Sequence, residues 1–261
     1  MKEFDRLVEI MNRLRDSDKG CPWDLKQTQE SLRPRMIEEV YEIAEAISEN
    51  DKEALKEELG DLLLHIVFQT KIAEEKGDFN IQDILSHINQ KLIRRHPHIF
   101  KSTNVKDAKD VERNWEKIKK EEKSHQNRKS ILEGLPKSLP SLIKAARLQS
   151  KAASVGFDWN KMEDVFKKLE EEIKEFKEEY YKNNRKKAVE ELGDILFAIT
   201  NIARKLDIDP EFALNESIKK FIKRFNYIEN SLKDNLFDSD LKEMDSLWEE
   251  AKHIPKKDEK K

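Results

Sequence analysis

The chain has 261 residues, of which 40% are charged, with a formal net charge of -3 and one cysteine. Acidic and basic residues are interspersed along it, which argues against a nucleic-acid-binding stripe, and no uncharged apolar run approaches the ~18 residues of a membrane span. The lone Cys21 excludes an intramolecular disulfide and favours a reducing compartment. We see no signal peptide and expect a soluble, cytoplasmic protein with neither nucleic acid nor membrane as partner.

The composition predicts an all-α fold. Only six glycines and seven prolines are available for sheet turns, whereas Glu, Lys, Leu and Ile recur with helical periodicity. A carboxylate pattern also repeats at a constant offset of 133 positions, from Glu39 to Glu172 and from Asp61 to Asp194. We therefore predict tandem duplicated helical-bundle domains at residues 1–123 and 141–254, with a connection at 124–140 and a disordered tail at 255–261.

In chain order, a first amphipathic helix ends at the turn Gly20-Cys21-Pro22-Trp23-Asp24, where Trp23 is expected to anchor the core rather than stack on a base. Pro34 is expected to open the first carboxylate helix. Asn50 and Asp51 then form the turn to a second helix over 52–75. A third helix over 81–95 stops at His96-Pro97-His98.

The first carboxylate helix and the helix over 52–75 each carry an acidic pair at helical spacing. Glu39 and Glu42 share one helix face, and Glu58 and Asp61 share another, because residues three apart project together. Glu38 points away from that face. The apolar positions of the first carboxylate helix form a stripe that must face a core: Met36, Val40, Ile43 and Ile47.

The second unit repeats these features. Glu172 and Glu175 take the places of the first pair, Glu191 and Asp194 those of the second, and Glu171 that of Glu38. The matching stripe is Leu169, Ile173, Phe176 and Tyr180.

Carboxylates that face one another repel, so a positive group is expected between them. Oxygen-only ligation without Cys or His suits Mg²⁺, or alternatively Mn²⁺, with water and substrate phosphates completing the coordination. The alternative is that Glu-rich helices merely present solvated faces, but two copies in register favour a metal site.

Basic residues on the third helix of each unit suggest phosphate binding. Lys91 and Arg95 lie one helical turn apart, as do Lys220 and Arg224, and either pair could hold a polyphosphate. Ordinary surface charge explains them equally well. For His96 and His98 a loop role is favoured over a metal pair, because no third ligand lies nearby in the sequence.

Several motifs together resemble the MazG family of nucleoside triphosphate pyrophosphohydrolases, within the all-α NTP pyrophosphatase superfamily. The resemblance covers nearly the whole chain. It is carried by both acidic sets and by four further segments: Gly20-Cys21-Pro22-Trp23-Asp24, Gln27-Thr28, Arg94-Arg95-His96-Pro97-His98-Ile99-Phe100 and Val155-Gly156-Phe157-Asp158-Trp159.

The resemblance implies a homodimer of helical bundles that hydrolyses an NTP or dNTP to the monophosphate and pyrophosphate. It implies Mg²⁺ ligands among Glu39, Glu42, Glu58 and Asp61, and among Glu172, Glu175, Glu191 and Asp194. It also implies substrate binding by Asn89, Lys91, Arg95, Lys220, Arg224, Trp248 and Lys252. Two residues before Lys220, at a position where the family has an Asn, this chain has Ile218. An Ile side chain cannot donate a hydrogen bond, so this departure leaves open which unit is active.

For the chemistry, we expect Glu38 or Glu171 to orient or deprotonate the attacking water. Two alternatives are kept. A di-iron carboxylate bundle would need Glu-x-x-His pairs, found only at Glu122/His125 and Glu250/His253 in polar stretches. A non-catalytic nucleotide- or protein-binding regulatory module is also compatible with a duplicated unit that has one degenerate site.

Overall fold

A computed structural model of the chain describes residues 2–101, 104–107, 110–111, 114–115, 118 and 130–253. Most of these residues are helical and none lies in a strand, which confirms the predicted all-α fold. The chain divides into two compact units, residues 1–119 and 120–261. The exact domain bounds stay a prediction, because residues 124–129 of the connection and the tail at 255–261 lie outside the described residues.

Membrane-spanning length and apolarity are not reached by any helix within the described ranges.

In the part of unit 1 up to residue 101, the structure describes four longer and two short helices, and side-chain caps mark the starts of α3 and α4. Thr28 caps α3 in a reciprocal box with Ser31, and the Asp51 carboxylate accepts the first backbone N–H groups of α4. The described helices are α1 (Lys2–Leu14), α2 (Pro22–Lys26), α3 (Gln29–Glu49), α4 (Lys52–Glu75), α5 (Ile81–Arg95) and α6 (Pro97–Phe100).

The core of unit 1 lies where α1, α3 and α4 meet. Its buried members are Met11, Leu32, Val67, Phe68 and Ile72. Asn50, at φ 56°, ends α3 in the left-handed conformation that reverses the chain into α4. The two helices therefore form an antiparallel hairpin, which positions the acidic side chains.

Unit 2 repeats this hairpin. Asn183, at φ 54°, reverses the chain after α8, and the Asn184 side chain caps α9. Its elements are α7 (Ser141–Ala153), α8 (Met162–Tyr181), α9 (Arg185–Lys205), α10 (Pro210–Leu232), a 3₁₀ turn (Lys233–Asn235) and α11 (Leu241–Lys252). Helix α7 packs on α9 and α10, and α10 also packs on α11.

Three expectations about packing are wrong. Helix α3 begins at Gln29 rather than Pro34, because the Thr28 cap starts it earlier and leaves the proline inside. Trp23 is 48% exposed and lies against the Arg35 guanidinium, 5.4 Å from its ring centroid, so it does not fill the core.

The third concerns the apolar stripe, which is only partly inward. Val40 is 50% exposed and Ile47 61% exposed, and in unit 2 Tyr180 is 63% exposed. The buried residues of α3 are Leu32 and Ala46. Val40 and Ile47 lie about 60 to 80° round the helix from Leu32, so the hairpin covers one edge of the stripe and leaves the other open.

In each unit an arginine–carboxylate ion pair lies beside the tryptophan-containing loop. Arg15 makes a two-pronged contact with Glu75, Nε to Oε1 at 2.8 Å and Nη2 to Oε2 at 2.6 Å, and also donates to the Asp24 carbonyl. In unit 2, Arg204 Nη2 lies 2.6 Å from Asp158 Oδ1. These contacts tie the loop at residues 20–24 to α4, and that at residues 156–159 to α9.

Replacing Glu75→Gln should lower the free energy of unfolding by about 1 kcal/mol at pH 7, since a charge-assisted pair becomes a neutral contact. Hydrogen bonding to Arg15 lowers the pKa of Glu75. Its contribution is therefore present above its unfolded pKa of about 4.3 and is lost as the pH falls through the folded value. Urea unfolding at neutral and acidic pH measures this.

The control is Glu74→Gln, which breaks only the exposed pair with Lys71. It should change stability by no more than about 0.5 kcal/mol. A loss for Glu75→Gln that stays constant down to pH 3 would contradict the assignment.

Candidate metal and nucleotide site

In unit 1 the hairpin brings three predicted carboxylates together. Glu39 on α3 and Glu58 and Asp61 on α4 each place one oxygen within 4.8 Å of the others. They meet because Glu39 precedes the Asn50 turn by roughly as many residues as Asp61 follows it. Sequence spacing and the antiparallel turn thus build the cluster jointly.

The electrostatics of this cluster are unfavourable without a cation. Burial, followed by the charges of Asp61 and Glu42, raises the pKa of Glu39. Burial and the charges of Glu42 and Glu39 likewise raise the pKa of Glu58. Because the donors are carboxylate oxygens that repel one another, the residues fit a hard divalent cation.

Unit 2 forms the corresponding cluster from Glu172, Glu175 and Glu191, whose oxygens also lie within 4.8 Å of one another. Glu172 is only 6% exposed. Burial and the charges of Glu175 and Asp194 raise the pKa of Glu191. The repulsion that a cation would relieve is therefore present in both units.

One predicted ligand in each unit lies outside these three-oxygen groups. They are Glu42 in unit 1 and Asp194 in unit 2. Both remain close, since the Glu42 charge raises the pKa values of Glu39 and Glu58, and the Asp194 charge raises that of Glu191. Their place in the ligand set stays a prediction.

Sequence reasoning missed a lysine within the unit 2 cluster. Lys168 Nζ lies 2.8 Å from Glu172 Oε1 and 3.0 Å from Glu171 Oε1. Hydrogen bonds with Glu172 and then Glu171 raise the pKa of Lys168. The sequence signal was its position four residues before Glu172, the spacing of a helical ion pair. Of the two predicted water-orienting residues, Glu171 is thus ion-paired, while Glu38 is exposed.

A buried histidine beside the unit 1 cluster was also missed. His65 is 7% exposed, and its Nε2 lies 3.4 Å from Glu39 Oε1. Burial lowers its pKa, and its Nδ1 has no hydrogen-bond partner in the part of the chain that the structure describes. Its spacing of four residues from Asp61 was the available signal.

The predicted substrate residues of unit 2 gather in part. The Arg224 guanidinium lies 5.3 Å from the Trp248 ring centroid, and the Phe221 ring lies 5.4 Å from it. Lys252 pairs with Glu249 on its own helix. Lys220 is exposed on α10, one turn before Arg224. Arg224 and Trp248 together present a cation and an aromatic face, groups suited to a phosphate and a base.

In unit 1, Asn89, Lys91 and Arg95 lie on α5, with Asn89 exposed and the other two half-buried. His96 links α5 to α6, and its ring contacts that of Trp115, with centroids 5.1 Å apart. Neither His96 nor His98 belongs to a potential metal group among the described residues.

The Glu-x-x-His pairs of the di-iron alternative are absent from the metal groups found in the described ranges. Glu250 accepts a hydrogen bond from the Tyr227 hydroxyl instead. The pair Glu122/His125 lies outside the described residues.

Comparisons with known proteins match the same domain family to both units. The MazG nucleotide pyrophosphohydrolase domain matches residues 27–100 and 160–228, which contain the two acidic hairpins. The nucleoside triphosphate pyrophosphohydrolase/pyrophosphatase MazG of Thermotoga maritima is 46% identical over 252 residues, covering 95% of each chain. The nucleoside triphosphate pyrophosphohydrolase of Escherichia coli K12 is 40% identical over 257 residues, covering 97% of this chain and 98% of that one.

Among solved structures, a mazG-related protein from Thermotoga maritima matches 44% of this chain and 98% of its own, with 29% identity and a TM-score of 0.39. The predicted resemblance is confirmed by the domain match and by the identity of the full-length relatives. The chain belongs to the MazG family of nucleotide pyrophosphohydrolases.

Proposed function

We propose that this chain is a Mg²⁺-dependent enzyme that hydrolyses ribo- or deoxyribonucleoside triphosphates to the monophosphate and pyrophosphate. The observation that carries the proposal is the pair of oxygen-only carboxylate clusters at matching places in the two hairpins. The relatives named nucleoside triphosphate pyrophosphohydrolase, matched over nearly their full length, support the substrate class.

The ion would be held by the predicted carboxylates, with Mn²⁺ as an alternative to Mg²⁺. In unit 1 these are Glu39, Glu42, Glu58 and Asp61, and in unit 2 Glu172, Glu175, Glu191 and Asp194. When bound, the ion supplies positive charge that stabilises the leaving pyrophosphate and aligns the phosphates.

The remaining steps fall to the chain's own side chains. Water attacks the α-phosphorus, the bond from that phosphorus to the bridging oxygen breaks, and pyrophosphate leaves. Glu38 or Glu171 orients the water and accepts its proton. Lys91 and Arg95, or Lys220 and Arg224, bind the phosphates. Trp248 offers an aromatic face to the base, and Lys252 lies one turn further along α11.

The two units differ in their polar contacts to the nucleotide. Asn89 offers an amide beside Lys91, whereas Ile218 offers no hydrogen bond beside Lys220. Unit 2 in turn has the assembled Arg224–Trp248 pair. A regulatory role for one unit, binding nucleotide or a protein without turnover, is the second candidate function and is favoured by the Ile218 substitution.

We also propose that the protein acts in the cytoplasm as a homodimer. Support for the dimer comes from the large apolar side chains left uncovered on α3, among them Ile37, Val40, Tyr41 and Ile47, which are 50 to 61% exposed. Exposed apolar side chains that lie together on a helix commonly mark a protein interface. A second copy of this hairpin offers a matching surface, as twofold symmetry requires.

Product analysis tests the reaction. The full chain is incubated with Mg²⁺ and a mixed panel of NTPs and dNTPs, and the products are separated by chromatography. Monophosphate and pyrophosphate should be released in equal amounts. A chelator should stop turnover, and added Mg²⁺ or Mn²⁺ should restore it. Release of diphosphate and inorganic phosphate would instead show cleavage at the γ-phosphate and contradict the proposal.

Paired substitutions test the proposed metal sites and show which unit is active. Glu42→Gln with Glu175→Gln should lower kcat by at least ~100-fold, because each unit loses one of its four proposed carboxylate ligands. The single variants show which unit turns over. Circular dichroism should be unchanged, and the control pair Glu9→Gln with Glu170→Gln, both exposed, should retain activity. Full activity in the double variant would contradict the role of these carboxylates as metal ligands.

Sedimentation tests the dimer. The wild-type chain should sediment at twice its mass of 30.9 kDa. Val40→Lys with Ile47→Lys should shift it to the monomer, since two charges would be buried in the interface. Phe237→Lys is the control, because that side chain is 95% exposed in the turn before α11. A dimer unaffected by the α3 changes would place the interface elsewhere.

A further inference from the structure

The two clusters differ in the group that accompanies their most buried glutamate. In unit 1, His65 Nε2 lies 3.4 Å from Glu39. In unit 2, Lys168 Nζ lies 2.8 Å from Glu172. At the repeat offset of 133, Ala198 takes the place of His65 and Arg35 that of Lys168. The duplication has therefore kept the carboxylates and exchanged their neighbours.

Arg35 does not play in unit 1 the part that Lys168 plays in unit 2. Its guanidinium lies over the Trp23 ring, 5.4 Å from the centroid. Within the described part of the chain, no lysine or arginine lies within ion-pair distance of Glu39. Among the described residues, the Glu39 carboxylate therefore has no counterpart of the Lys168 ammonium.

His65 contributes orientation instead. Its ring is buried, and its Nε2 lies 3.4 Å from Glu39 Oε1, a close polar contact longer than an ordinary hydrogen bond, which restricts the positions open to that oxygen. It lies outside the three-oxygen group formed by Glu39, Glu58 and Asp61. It therefore lies behind a ligand rather than among the ligands, as partners of metal-binding side chains commonly do.

Lys168 has the opposite effect on unit 2. Its ammonium contacts both Glu171 and Glu172, and the Glu172 side chain is only 8% exposed. A cation entering this cluster must break or weaken a charge-assisted hydrogen bond that already satisfies the buried carboxylate. The lysine thus competes with the metal for the same oxygen.

We infer that the two units bind divalent cations unequally in the absence of nucleotide. Unit 1 is the tighter metal site, with His65 as a positioning residue for Glu39. Unit 2 is the weaker metal site, where the Lys168 ammonium competes with the cation for Glu172. This inference rests on the metal sites of the proposed function. It predicts that removing a positive charge at residue 168 tightens metal binding in unit 2.

The test is a Mn²⁺ titration of the full chain without nucleotide, with free Mn²⁺ measured by its electron paramagnetic resonance signal. Unit 1 is read alone in Glu172→Gln/Glu191→Gln protein, and unit 2 alone in Glu39→Gln/Glu58→Gln protein. Unit 1 should bind at least ~3-fold more tightly, as expected from one competing charge-assisted contact. Equal affinities, or tighter binding by unit 2, would overturn the inference.

Lys168→Met, in the background that reads unit 2, should tighten Mn²⁺ binding ~3- to 10-fold. The matched control is Lys167→Met on the same helix, whose ammonium pairs with Asp164 and not with the cluster. It should leave the affinity nearly unchanged. An equal gain in both variants would reduce the effect to net charge, and no gain for Lys168→Met would contradict the competitor role.

His65→Ala, in the background that reads unit 1, should weaken Mn²⁺ binding ~3- to 10-fold, whereas His65→Gln, which keeps an N–H donor, should restore most of it. Loss in both variants would overturn the positioning role. Electron spin echo measurements on bound Mn²⁺ supply a second readout, because a directly ligated histidine nitrogen would also overturn it.

These outcomes separate the inference from the function on which it rests. If neither unit binds Mn²⁺, the metal sites themselves fail and the inference with them. If both units bind with the same affinity and the residue 168 and 65 variants have no effect, the metal sites stand and only the inference fails.

Discussion

Repulsion among carboxylates across a two-helix hairpin is the constraint on which each unit depends. The antiparallel packing of α3 on α4, and of α8 on α9, cannot form without placing acidic side chains opposite one another at the same distance from the turn. Burial and mutual repulsion raise the pKa values of Glu39, Glu58 and Glu191. The fold thus retains an unfavourable charge cluster that a bound divalent cation would turn into a stabilising contact.

The hairpins are held in place by features away from the clusters. Left-handed asparagines set the turns, and Arg15 and Arg204 each tie a loop to the helix that carries the acidic pair. The cores are small: in unit 1 five buried side chains form the central cluster. Many large apolar side chains of both units are exposed. Exposed apolar surface of this kind is consistent with the proposed dimer.

The duplication has produced two related sites rather than two identical ones. Four carboxylate positions are kept in each unit, while the residues around them diverge: His65 against Ala198, Arg35 against Lys168, and Asn89 against Ile218. Such divergence around shared carboxylates would let the two proposed metal sites differ in affinity.

Local pattern alone determined the all-α class, the hairpin turns at Asn50 and Asn183, the bounds of the helices at residues 52–75 and 81–95, and the acidic faces, because helical spacing and capping act over a few residues. Only the tertiary structure decided which side of α3 is covered, since Val40 and Ile47 carry the same periodicity as the buried Leu32. It also decided that Arg35, the counterpart of Lys168, lies against the Trp23 ring rather than against Glu39. Such choices depend on contacts between elements distant in sequence, and periodicity on one helix does not specify them.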